Sequence, residues 1–140
     1  VFFSNNMNEF FSLDASTGIL NWKQVVNSSL RPSIVNDFIF TVSEEGFLIV
    51  IDSKSGKIIR STDVFDKFKI KKRKKIKPTG FVLGSKKLYL STSTGRLLIV
   101  DIETGKTQSI IKIDSEKISR PIILKQSLFV VKNNSVIKLN

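Results

Sequence analysis

At 140 residues, 41% of them hydrophobic, the chain is long enough to bury a sizeable core, and no apolar run in it approaches the length of a membrane-spanning helix. It has no cysteine and no histidine, which excludes a disulfide framework, thiolate metal sites, a cysteine nucleophile and imidazole acid–base chemistry within these residues. The net charge of +11 is unevenly placed: eight of the 23 basic residues fall between Lys67 and Lys77, and without them 15 basic residues face 12 acidic ones.

Taken in chain order, the apolar runs are short and rich in β-branched and aromatic residues, the pattern of antiparallel strands. Val1 to Asn5 reads as a strand, followed by Phe10 to Leu13 and then the turn Leu13-Asp14-Ala15-Ser16-Thr17-Gly18. A second set runs Ser33 to Val35, Phe38 to Val42, Phe47 to Ile51 and Lys57 to Thr62, with Ile51-Asp52-Ser53-Lys54-Ser55-Gly56 between its last two strands. A third set runs Gly80 to Leu83, Lys87 to Ser91, Arg96 to Val100 and Thr107 to Ile113, with Val100-Asp101-Ile102-Glu103-Thr104-Gly105 in the same place. Val136 to Leu139 is the last strand-like run, and no helix is required anywhere. Runs such as Phe47 to Ile51 are apolar on both faces, which predicts strands sandwiched between neighbouring sheets.

The repeated turn sets the register. Aspartate accepts hydrogen bonds from the backbone two residues on, and glycine supplies the positive φ that closes the hairpin. Asp14 to Asp52 spans 38 positions and Asp52 to Asp101 spans 49, so the second interval carries an excess of 11. Pro32, Pro78 and Pro121 each open an apolar stretch and place most of that excess between Asp52 and Pro78. Asn8, Gly46 and Gly95 stand six before each aspartate, and Asn134 stands six before Asn140 as a fourth, partial copy. The unit is four antiparallel strands, repeated at the spacing of a radial all-β protein. We therefore expect a β-propeller of about three and a half blades, divided as 1–29 (end of one blade), 30–66 (second blade), 67–77 (basic insertion), 78–115 (third blade) and 116–140 (partial last blade). Because propellers typically have 4 to 8 blades, this reads as the C-terminal part of a longer ring, whose N-terminal blades are its first partner.

These residues resemble the pyrroloquinoline-quinone-type (PQQ) propeller repeat, Ala-x-Asp-x-x-Thr-Gly-x-x-x-Trp. The first copy matches through Asp14, Thr17, Gly18 and Trp22, the second through Asp52, Ser55 and Gly56, and the third through Asp101, Thr104 and Gly105; Arg60 and Ser109 stand at the tryptophan position of the later copies. The resemblance implies that Trp22 packs between adjacent blades. It also implies a choice of function. Degenerate repeats, short blades and the lack of cofactor chemistry are most similar to the BamB type, a non-catalytic scaffold on the periplasmic side of the outer membrane that binds the barrel-inserting subunit BamA. The alternatives are part of a PQQ-dependent quinoprotein dehydrogenase, which would need calcium ligands and often a vicinal cysteine pair, and a generic propeller interaction module, including a cytoplasmic WD-type protein.

No catalytic, cofactor or metal residue is assigned. Asp14, Asp52 and Asp101 are better explained as turn residues, Glu44-Glu45 as a solvated hairpin tip, and Gly-rich phosphate loops are lacking. The run Lys71, Lys72, Arg73, Lys74 and Lys75 is expected to be a mobile, exposed loop. Any role it has is electrostatic, toward a protein partner or anionic lipid, with Phe65, Phe68 and Ile70 packing back on the propeller. Too few aromatic residues are interleaved with it to favour nucleic acid.

Overall fold

The computed structural model describes residues 1–5 and 7–139; the fourth landmark position, Asn140, lies outside them. Among the described residues the chain is all-β apart from one helical turn, with fourteen strands in four antiparallel sheets. Among the described residues no helix is long and apolar enough to cross a membrane. Two compact units divide the chain, the first ending at Thr62 and the second starting at Asp63.

In the first unit, β1 (Phe2–Ser4), β2 (Glu9–Leu13) and β3 (Leu20–Val25) form a three-stranded meander. The strands β4 (Ser33–Val35), β5 (Phe38–Val42), β6 (Phe47–Asp52) and β7 (Ile58–Asp63) form a four-stranded one. The alternation of Phe10 and Ser12 with half-exposed neighbours puts one face of β2 inward. In β6, by contrast, Leu48 to Ile51 are all buried, as a run apolar on both faces requires. The unit's core gathers Phe10, Val26, Ile39, Ile49 and Ile51, with Phe2 and Trp22 packed against it.

In the second unit, β8 (Pro78–Gly84), β9 (Lys87–Thr92), β10 (Arg96–Asp101) and β11 (Thr107–Lys112) form the other complete meander, and β12 (Ile122–Leu124), β13 (Ser127–Lys132) and β14 (Ser135–Leu139) a three-stranded one. Leu97, Ile118 and Val130 centre its core, flanked by Tyr89, Ile113 and Leu128. Every strand of the second and third copies lies within two residues of the run that foretold it. The turn residues Asn8, Gly46, Gly95 and Asn134 all have positive φ.

The basic insertion departs from expectation. It holds a helical turn, α1 (Ile70–Arg73), where no helix was anticipated, because the Lys69 carbonyl accepts from the N–H groups of Lys72 and Arg73. The segment is also anchored rather than loose. Arg73 is ion-paired with Asp63, the Lys67 ammonium donates to the Gln108 carbonyl at 3.0 Å, and Ile76 is buried. Phe65 is buried with Phe68 edge-on to it at 5.7 Å, as the sequence suggested, but Ile70 is 76% exposed. Its position on α1 turns it outward while Ile76, beyond the helical turn, takes the inward place. At its base the Lys77 N–H donates to the Ser93 hydroxyl at 3.0 Å and the Ser93 N–H to the Lys77 carbonyl at 2.8 Å, which pins the run to the β9–β10 turn.

Candidate functional site

The three Asp-to-Gly turns share one hydrogen-bonding scheme. Asp14 Oδ1 accepts from the N–H groups of Ser16 (2.9 Å) and Thr17 (2.8 Å) and from both hydroxyls. Asp52 Oδ1 accepts from the N–H groups of Lys54 and Ser55 and from the Ser55 hydroxyl. Asp101 Oδ1 accepts from the N–H groups of Glu103 and Thr104 and from the Thr104 hydroxyl. In each copy the glycine N–H returns to the aspartate carbonyl. The φ values of Gly18, Gly56 and Gly105 are 71°, 72° and 72°. So many donors on one carboxylate favour its charged form. The Ser16 hydroxyl, then the backbone and hydroxyl of Thr17, hold Asp14 far below the usual carboxylate range, and the Ser55 N–H and hydroxyl lower Asp52 in the same way. These aspartates therefore serve as turn anchors, with Oδ1 of each taken up by the backbone and hydroxyl donors of its own turn.

Trp22 joins one turn to another sheet. Its indole N–H donates to the Ser53 carbonyl at 2.9 Å, and its ring lies so close over Gly56 that a Cβ there would stand 2.5 Å from Cδ2. Phe10 stacks on it at 6.1 Å and 13°, and Phe2 lies tilted against it at 5.8 Å and 32°. The Gln24 amide adds a bond to the Gly56 carbonyl at 3.0 Å. Both contacts from the first sheet thus end on the main chain of the second sheet's turn. Trp22 is half-buried. By contrast Gly18, in the same conformation, has nothing within 4 Å of its absent Cβ.

The five basic residues singled out in the insertion are split by α1. Arg73 turns to Asp63, while Lys71, Lys72, Lys74 and Lys75 are exposed. Lys72 and Lys75 line a groove of about 330 Å³ with Arg96, Lys112, Phe68 and Ile76. Arg96 and Lys112 were not picked out from the sequence, because they stand at the start of β10 and the end of β11, more than twenty positions from the lysine run; the strand pairing Arg96↔Lys112 brings them together. Among the described residues no group of three or more His, Cys, Asp or Glu side chains is placed to hold a metal ion.

Residues 1–62 match the family described as outer membrane protein assembly factor BamB. No curated protein matches the sequence. Among solved structures, BamB from Moraxella catarrhalis is similar at 15% identity and a TM-score of 0.65, over 94% of this chain and 40% of that one. Sqt1 of Saccharomyces cerevisiae is similar at 14% identity and a TM-score of 0.74, over 95% of this chain and 39% of that one. A europium-containing methanol dehydrogenase is similar at 19% identity and a TM-score of 0.59, over 79% of this chain and 22% of that one. At such identities the likeness is one of fold, and the chain spans about 40% of the length of the BamB structure that it matches.

Proposed function

We propose that this chain, a PQQ-like β-propeller whose residues 1–62 match the BamB family, is a non-catalytic scaffold of outer-membrane barrel assembly that binds a BamA-type subunit on the periplasmic side of that membrane. The family match over residues 1–62 carries the reading. The geometry supports it: locally closed turns and sheets stacked through Trp22 give a stiff frame, and such frames present loops for partner binding. The likenesses to Sqt1 and to a methanol dehydrogenase propeller concern the fold alone, and they leave a general interaction module and a dehydrogenase as the competing outcomes.

The test is a binding titration of the purified protein against a purified BamA-type subunit, beside an assay for PQQ-dependent dye reduction with alcohols. Saturable binding without dye reduction is expected. If the charged insertion forms part of the contact, reversing Lys71, Lys72, Arg73, Lys74 and Lys75 to glutamate weakens binding, as does raised salt. No binding to the subunit at micromolar concentration, or turnover with PQQ, overturns the proposal.

A further inference from the structure

The groove beside the insertion is one-signed. Lys72 and Lys75 come from α1 and the residues after it, Arg96 from the start of β10 and Lys112 from the end of β11; Phe68 and Ile76 supply its apolar wall. No carboxylate is among the residues that line it. Asp114, the nearest acid beyond Lys112 along the chain, is ion-paired with Lys132 at 2.8 Å, which together with the backbone N–H groups of Glu116 and Ser115 holds its carboxyl down at about 2. Among the described residues Lys72, Lys75 and Lys112 are in no ion pair, so their charge is left to the groove. Arg96 is fixed: one guanidinium nitrogen donates to the carbonyls of Thr94 (3.3 Å) and Asp114 (3.1 Å), and the planar fork is thereby held in place.

Four cations around an apolar wall concentrate positive potential in the cleft, because the low-dielectric side focuses the field and an anion entering it relieves the mutual repulsion. A guanidinium fixed in orientation beside mobile ammonium groups matches the several acceptor oxygens of a phosphoryl group, which accepts from more directions than a carboxylate does. We propose that this groove is a binding site for a phosphoryl group carried on an apolar body, the chemistry shared by an anionic phospholipid headgroup and a free phosphate ester. The site lies wholly within the second unit and does not depend on the barrel-assembly reading.

The experiment titrates the protein with phenyl phosphate and with inorganic phosphate by equilibrium dialysis, and floats it with vesicles of phosphatidylcholine with or without phosphatidylglycerol. Phenyl phosphate is expected to bind at one saturable site, more tightly than inorganic phosphate, through contact with Phe68 and Ile76. Lys72→Ala with Lys112→Ala should lower that affinity about tenfold, the loss of two charge-assisted contacts. Lys71→Ala with Lys74→Ala, the same change of charge off the groove, should leave it unaltered. Arg96→Lys, which keeps the charge and loses the fork, should also weaken binding while far-UV circular dichroism stays that of the parent. Flotation that needs phosphatidylglycerol and fails in the groove pair identifies the lipid source; soluble binding without flotation identifies the free ester. Absence of both, equal losses from the two lysine pairs, or equal competition by a pentaglutamate peptide overturns the proposal.

Discussion

Gly18 and Gly56 share a backbone conformation and differ in what surrounds them, which makes them a matched pair. Alanine at either must adopt positive φ, a strain of about 1 to 2 kcal/mol. At Gly18 that is the whole cost, since the added carbon meets open space. At Gly56 the added carbon overlaps the Trp22 ring, and forcing it in should destabilise by roughly a further 1 to 3 kcal/mol. Urea denaturation of the two variants measures the difference; equal losses would mean that Trp22 does not rest on that turn in solution. The turn aspartates make a second prediction. Because the folded protein holds Asp14 and Asp52 below their unfolded values, their stabilisation is present above about pH 4 and is lost as the pH falls through the folded values. Urea midpoints should be flat from about pH 7 to 5 and drop below about pH 4. Asp14→Asn with Asp52→Asn should flatten that drop, leaving the shares that Glu9 contributes through Lys23 and Asp114 through Lys132.

The elements show how much of this was written in the sequence. Strands and Asp-to-Gly turns were legible because their determinants are local: alternation, a carboxylate acting on the next three residues, and a glycine at positive φ. The two-residue turns Ser85-Lys86 and Lys125-Gln126 were not, since both residues of each take positive φ without glycine or asparagine, a choice imposed by the twist of the flanking strands. Nor was α1 legible, because four residues carry no helical periodicity, and the groove escaped notice because half of its cations arrive through the pairing of β10 with β11. Two substitutions test the packing of elements. Trp22→Ala removes a half-buried ring and its bond to Ser53 and should destabilise by about 3 kcal/mol, the low end for a large aromatic. Ile76→Ala should cost about 2 kcal/mol, whereas Lys74→Ala, on the exposed side of the same insertion, should stay within about 0.5 kcal/mol. If Ile76→Ala proves as silent as Lys74→Ala, the insertion is not anchored.

Across the whole molecule, charge and repetition have separate origins. The five reversals in the insertion would take the formal net charge from +11 to about +1, so a loss of solubility near neutrality should accompany any loss of binding while thermal unfolding stays cooperative. Precipitation by polyethylene glycol separates that general effect from a local one. Repetition rests on the turn that Trp22 contacts. What the indole and the Gln24 amide read there is two carbonyl oxygens and a missing Cβ. A connection of this kind works as a standard fitting: Ser53, Lys54 and Ser55 could be exchanged for Ile102, Glu103 and Thr104 with the joint intact, provided the aspartate, the hydroxyl and the glycine are kept. Copies built this way drift freely in sequence at every other turn position while remaining mechanically compatible.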